Sequence, residues 1–222
     1  MNILDAKTEA LEQNKLTQIF NRQKELMEKY HDIEAKSGLM QTVDCPVNLD
    51  TKEGQARIKD FAWRVTEEVG EALDALSNQE MEHYQEELVD GLHFLTELSI
   101  LANFSPEDIA ERGKANSIDP LDGLFHTGKA IIRECREVGP FDVGDALFSY
   151  VCQMGMTCNC LKNKPWKQSQ MLTDKEAFYD RLFATWVSYF TLLAFAFSAP
   201  DEVADTYLRK SQVNKFRQRS NY

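Results

Sequence analysis

Residues 62–98 read AWRVTEEVGEALDALSNQEMEHYQEELVDGLHFLTEL, and the spacing of their apolar residues decides the fold. Ala62, Val65, Val69, Ala72, Leu73 and Leu76 recur at the three- and four-residue intervals of one helix face, and Leu88, Leu92, Leu95 and Leu98 do the same beyond the short polar link Ser77-Asn78-Gln79. The pattern predicts two antiparallel helices. On the first, Glu68 falls at the edge of the apolar stripe with Glu71 one step further round. On the second, Glu87 projects between the leucine face and Phe94, and Asp90 lies one step outside. Glu68-x-x-Glu71 and Glu87-x-x-Asp90 therefore aim four carboxylates into one space.

Charge sharpens this picture. Thirteen carboxylates and no lysine or arginine lie between Arg64 and Arg112, so nothing local offsets the acids. Carboxylates at i and i+3 stand about 5–6 Å apart at Cβ and repel unless a cation intervenes. A hard divalent ion such as Mg²⁺ suits an all-oxygen ligand set completed by phosphate and water. The plainer alternative is a pair of solvated acidic faces with Arg64 to Glu68 as an i,i+4 ion pair. At the other extreme, residues 208–222 hold Arg209, Lys210, Lys215, Arg217 and Arg219, and no acid follows Asp205. An acidic centre with a basic tail matches metal ions at one end of a polyphosphate and cationic side chains at the other.

Outward from this hairpin the pattern stays helical, because alternating β-branched runs are missing. The expected fold is all-α, a helical bundle forming one domain over 1–222. Helices are expected at about 8–36, 55–77, 80–103, 106–115, 121–138, 142–161, 174–198 and 200–210, with loops at 37–54 and 162–173. Ser105-Pro106-Glu107-Asp108 combines an N-cap, a proline at the first helical position and acids in the first turn. Residues 208–222 are expected to be a flexible tail that closes over a bound phosphate. Residues 94–110 (FLTELSILANFSPEDIA) and 189–205 (YFTLLAFAFSAPDEVAD) share an apolar helix, a Phe-Ser turn and a proline-started acidic helix. That likeness points to two related helical hairpins, one of which has lost its carboxylates.

The uncharged run 182–200 (LFATWVSYFTLLAFAFSAP) is close in length to a membrane span. Thr185, Ser188, Thr191 and Ser198 favour burial in a helical core or a dimer interface instead. A net charge of -11 argues against nucleic acid or an anionic membrane as the main partner. The five cysteines form no C-x-x-C pair, and Cys158-x-Cys160 is a weak metal signal, so free thiols in a cytoplasmic protein are expected. The N-terminal residues lack the basic and apolar regions of a signal peptide.

The acidic motifs, with fifteen residues between them, resemble those of the all-α nucleoside triphosphate pyrophosphatase superfamily. The run 86–94 (EELVDGLHF) is similar to the E-L-V-D-x-x-H-F segment of dimeric dUTPases and phage dCTPase/dUTPases. The end of the chain, 207–222 (YLRKSQVNKFRQRSNY), resembles that family's phosphate-binding motif Y-x-x-K-N-x-x-N-x-x-R-Q-x-x-G-Y. The resemblance implies a dimeric, Mg²⁺-dependent hydrolase of deoxynucleoside triphosphates, using two or more ions with Mn²⁺ able to substitute. It assigns Glu68, Glu71, Glu87 and Asp90 to the metal, with Glu68 also taking a proton from the attacking water. Lys210, Asn214, Arg217 and Tyr222 would grip phosphates, and His93 would adjoin base or sugar unless it is a satisfied core histidine. The family's pyrimidine-reading glutamine would be Gln23, in a Q-x-x-L setting, or Gln18, followed by Asn21. The family's tryptophan and lysine between the acidic motifs are missing, and Pro165-Trp166-Lys167 stands in a later loop. Ser211 and Asn221 replace the usual asparagine and glycine. The implied substrate is dUTP, with dUDP as a second one; dCTP or a purine nucleotide is the nearest alternative, and a non-catalytic helical interaction protein the more distant one.

Overall fold

A computed structural model describes residues 3, 6–7, 9–114 and 119–220. Among them are eight α-helices and no strand: α1 (Lys15–Ser37), α2 (Lys52–Ser77), α3 (Met81–Leu101), α4 (Pro106–Gly113), α5 (Pro120–Val138), α6 (Val143–Cys160), α7 (Lys175–Ala196) and α8 (Pro200–Arg219). The all-α expectation holds. α2 and α3 form the antiparallel hairpin read from the leucine and alanine spacing, and theirs is the most extensive helix contact in the molecule.

α3 and α7 are the two inner helices. α3 touches α1, α2, α7 and α8, while α7 lies against α3, α4, α5 and α6. Both are buried on nearly every face, which explains why neither shows a single polar side. The uncharged run thus belongs to the core, with Leu182, Trp186, Tyr189, Phe190 and Leu193 at 0% exposure. It is not available as a dimer surface. No single helix among the described residues is long and apolar enough to cross a membrane. Each of the two similar segments, α3–α4 and α7–α8, is an inner helix followed by a buried phenylalanine, Phe104 or Phe197, and a helix starting at proline.

Two helix ends depart from expectation. α1 starts at Lys15 rather than near residue 8, because the Asn14 side chain accepts from the Thr17 amide at 3.0 Å and caps the helix there. α8 runs on to Arg219, nine residues past its expected end. Its basic residues look loose in the sequence, but Tyr207, Leu208, Lys210, Ser211 and Val213 are buried against α1 and α3. Residues 208–219 are therefore helical, and packed against the bundle as far as Val213.

Candidate active site

The site begins with a glycine. A Cβ at Gly91 would lie 2.2 Å from the Tyr189 hydroxyl oxygen and 3.4 Å from the Glu68 Cβ. Its absence lets that hydroxyl donate to the Leu88 carbonyl at 2.7 Å and brings α2 close across α3. Glu68, Glu71 and Glu87 consequently converge, each offering an oxygen within 4.8 Å of the others. Glu87 is buried, Glu68 half-buried and Glu71 exposed, so the cluster opens to solvent on one side. The His83 Nδ1 lies 3.1 Å from a Glu87 oxygen. Burial, reinforced by Asp90, Glu87 and Glu71, pushes the Glu68 carboxyl up to about 8.

Asp90 does not complete a quartet of free carboxylates. Because α8 continues alongside α3, the buried ammonium of Lys210 takes Asp90 Oδ2 at 2.6 Å and also pairs with Glu86. Burial still holds Asp90 up at about 6, outweighing the opposing pull of Lys210. Lys210 itself is raised, its two carboxylate partners overcoming the effect of its own burial. The residue expected to grip phosphate thus stands beside an expected metal ligand. The three clustered carboxylates fit a hard divalent ion: all-oxygen donors, one exposed edge for water or phosphate, and no thiol nearby. The alternative of an Arg64–Glu68 pair is not formed; Arg64 turns instead to Glu34 and Asp60, each at 2.9 Å, and stacks over Phe61.

A cavity of about 320 Å³ adjoins the carboxylates, bounded by Glu68, Asp90, His93, Phe94, Asn214 and Arg217. Tyr30, Glu34, Arg64 and Glu97 also reach it, and none of these was named from sequence as a binding or catalytic residue. For Glu97 the signal was present: it follows Asp90 by seven residues, two turns along the same face of α3. A larger cavity of about 410 Å³, between α1 and the turns at Cys45-Pro46 and Asn103–Pro106, holds none of the clustered carboxylates. Glu68 and Asp90 line the smaller one.

The proposed base-reading residues are scattered. Gln23 is buried behind His93, outside the cavity walls, with Nε2 donating to Glu97 and Oε1 facing His93 and Tyr207, all at 2.8 Å. Gln18 braces the segment before α1 through Ala10 and Glu12. Asn21 is exposed on the outer side of α1. Tyr222 lies outside the described residues. Trp166 is exposed and forms no part of the cavity.

Acids of one helical hairpin thus border a cavity that Asn214 and Arg217 of a third helix also line, an arrangement that can take a divalent ion and a phosphate side by side in an all-α protein. Residues 15–222, from the first residue of α1 to the end of the chain, match the family model described as dUTPase. The chain belongs to the dUTPase family and is an enzyme of the dUTP diphosphatase type. Such enzymes are generally metal-dependent. No curated protein and no solved structure matches the chain.

Proposed function

We propose that the chain hydrolyses dUTP to dUMP and pyrophosphate, accepts dUDP as a second substrate, and so keeps uracil nucleotides out of the deoxynucleotide pool. One observation carries this: Glu68, which converges with Glu71 and Glu87, also lines a cavity with Asn214 and Arg217, in a chain matched by the dUTPase family from α1 to its end. Glu68, Glu71 and Glu87 would hold Mg²⁺ or Mn²⁺, with Asp90 joining them for a second ion, and the bound metal would offset charge on the phosphates and acidify water.

The chain's own groups do the rest. Glu68 is half-buried among other carboxylates and takes a proton readily, which suits it to accept one from water as the oxygen attacks phosphorus. Cleavage falls between the α- and β-phosphates, and the leaving pyrophosphate keeps the bond electrons. Arg217 and Asn214 lie where they can donate to phosphate oxygens, and Lys210 follows if it releases Asp90.

A homodimer is part of the proposal. With α7 in the core, the dimer surface is assigned to α6, which has no charged residue after Asp145 and exposes Phe148 at 72%, Val151 at 44% and Met156 at 43%. The protein acts in the cytoplasm on a free nucleotide. The test is to incubate purified chain and Mg²⁺ with dUTP, dCTP, dTTP, dATP and dGTP, following monophosphate by chromatography. Mg²⁺-dependent dUMP release, fastest among the five, is expected; a faster release of dCMP or a purine monophosphate would reassign the substrate. No release from any would leave a helical protein without catalysis.

A further inference from the structure

Behind the cavity wall lies a chain of buried groups with one possible polarity. The Glu97 carboxylate, 4% exposed, only accepts hydrogen bonds, so the Gln23 amide must turn its NH₂ toward it, as the 2.8 Å contact to Oε2 requires. The Gln23 carbonyl oxygen then faces the other way. It accepts from the Tyr207 hydroxyl and meets His93 Nδ1, both at 2.8 Å. A carbonyl oxygen cannot donate, so Nδ1 must carry the imidazole proton. The His93 ring is stacked on Tyr207 with centroids 3.8 Å apart, which holds it in place.

That leaves Nε2. It is buried and has no hydrogen-bond partner in the protein. The backbone carbonyl of Tyr207 is near the ring, but it already accepts the Ser211 hydroxyl at 2.9 Å and the helical amide of α8. Burial and the neighbouring Lys210 keep the ring neutral, with its pKa lowered to about 3. An orphaned acceptor in a buried ring that lines the cavity is costly unless a ligand satisfies it.

Its position indicates which ligand atom. Along α3, His93 lies about 4.5 Å beyond Asp90 and Glu97 about 10 Å beyond it. A nucleotide with its phosphates at the carboxylates would bring its sugar to His93 and its base toward Phe94 and Glu97. A deoxyribose offers one hydroxyl donor, at the 3′ position.

We infer that Glu97 is a positioning residue: through the Gln23 amide it fixes His93 as the Nδ1–H tautomer, which leaves Nε2, buried beside the cavity, as a bare acceptor for the sugar 3′-hydroxyl once a nucleotide fills the pocket. The ligand assignment rests on the nucleotide reading above; the tautomer does not. Long-range ¹H–¹⁵N correlation spectra of the full-length, ¹⁵N-histidine-labelled chain read it directly, with His93 identified by loss of its signals in His93→Gln. In wild type, Nδ1 should be protonated and Nε2 bare. Glu97→Gln keeps the size but lets both amides turn either way, so both tautomers should appear. The variant's kcat/KM for dUTP should fall about tenfold, the worth of one hydrogen bond, mostly through KM. The 2′,3′-dideoxy analogue of dUTP, which lacks the donor, should be about tenfold poorer with wild type and lose nothing further in the variant. A wild-type Nε2–H, an unchanged tautomer in Glu97→Gln, or an equal fall on both nucleotides would each overturn the inference. If neither nucleotide is turned over, the proposed function fails, while the wild-type spectrum still decides the relay.

Discussion

Replacing Glu68 with glutamine should abolish turnover and yet stabilise the metal-free protein. In the protein alone, burial and the oxygens of Asp90, Glu87 and Glu71 raise the Glu68 carboxyl from 4.5 to about 8. A carboxyl held above its unfolded value binds its proton more tightly when folded. Its stabilising effect is therefore complete below about pH 4.5 and is lost as pH rises through about 8. At about 1.4 kcal/mol per tenfold change in proton affinity, that rise sets a ceiling of ~5 kcal/mol. Glu68 is only half-buried and solvent screens its neighbours, so the expected cost of ionising it is about 2 kcal/mol. Glutamine has the same shape and no charge. In EDTA at pH 8 the variant should melt about 4–8 °C above wild type, and at pH 5 the two should nearly coincide. Mg²⁺ should narrow the gap at pH 8 by stabilising wild type more than the variant. Differential scanning calorimetry at both pH values makes the comparison. A variant that melts below wild type at pH 8, or a gap that does not grow between pH 5 and 8, would refute the claim that these acids strain one another.

Other sites give separate tests. Lys210→Met leaves Asp90 and Glu86 without their cation and should cost about 2–3 kcal/mol in urea denaturation, with a smaller loss when Asp90 is already asparagine. Gly91→Ala drives a methyl against the Tyr189 hydroxyl and should cost about 2–3 kcal/mol, whereas Gly70→Ala, whose Cβ would meet nothing within 4 Å, should be neutral or mildly stabilising. Thermal melts distinguish them. Phe148→Glu should turn the proposed dimer into a monomer by light scattering; an unchanged mass would remove α6 from the interface.

The fold was legible because two inner helices and their partners carry long apolar periods, which need no knowledge of distant contacts. The acidic hairpin was legible for the same reason: residues three or four apart on one helix must share a face, and Glu68, Glu71 and Glu87 do converge. What sequence could not show was pairing over long separations. Lys210 looks solvated until Glu86 and Asp90, some 120 residues earlier, are found beside it, and that pairing lets the basic end of α8 continue as a packed helix. Gln23 was singled out by the family resemblance and its Q-x-x-L setting, but spacing could not reveal that His93 and Glu97 would lie against it. Gln18 turns to Ala10 and Asn21 to solvent, placements with no trace in the sequence, since a mid-helix polar residue has no signal for which neighbour it will meet. The i,i+4 rule offered Arg64 to Glu68 as the plainer alternative, whereas α1 supplies Glu34, a partner the rule does not consider.

The central claim is that Glu68, Glu71 and Glu87 together take up the divalent ion on which dUTP hydrolysis depends. Calorimetric titration of Mn²⁺ into the protein bound to a non-hydrolysable α,β-imido analogue of dUTP tests it most directly, with wild type set beside Glu87→Gln. Saturable uptake by wild type and none, or at least a hundredfold weaker binding by the rough measure of about 2.8 kcal/mol, in the variant is the predicted result. Equal Mn²⁺ affinity in the two proteins, or no uptake by either, would contradict it.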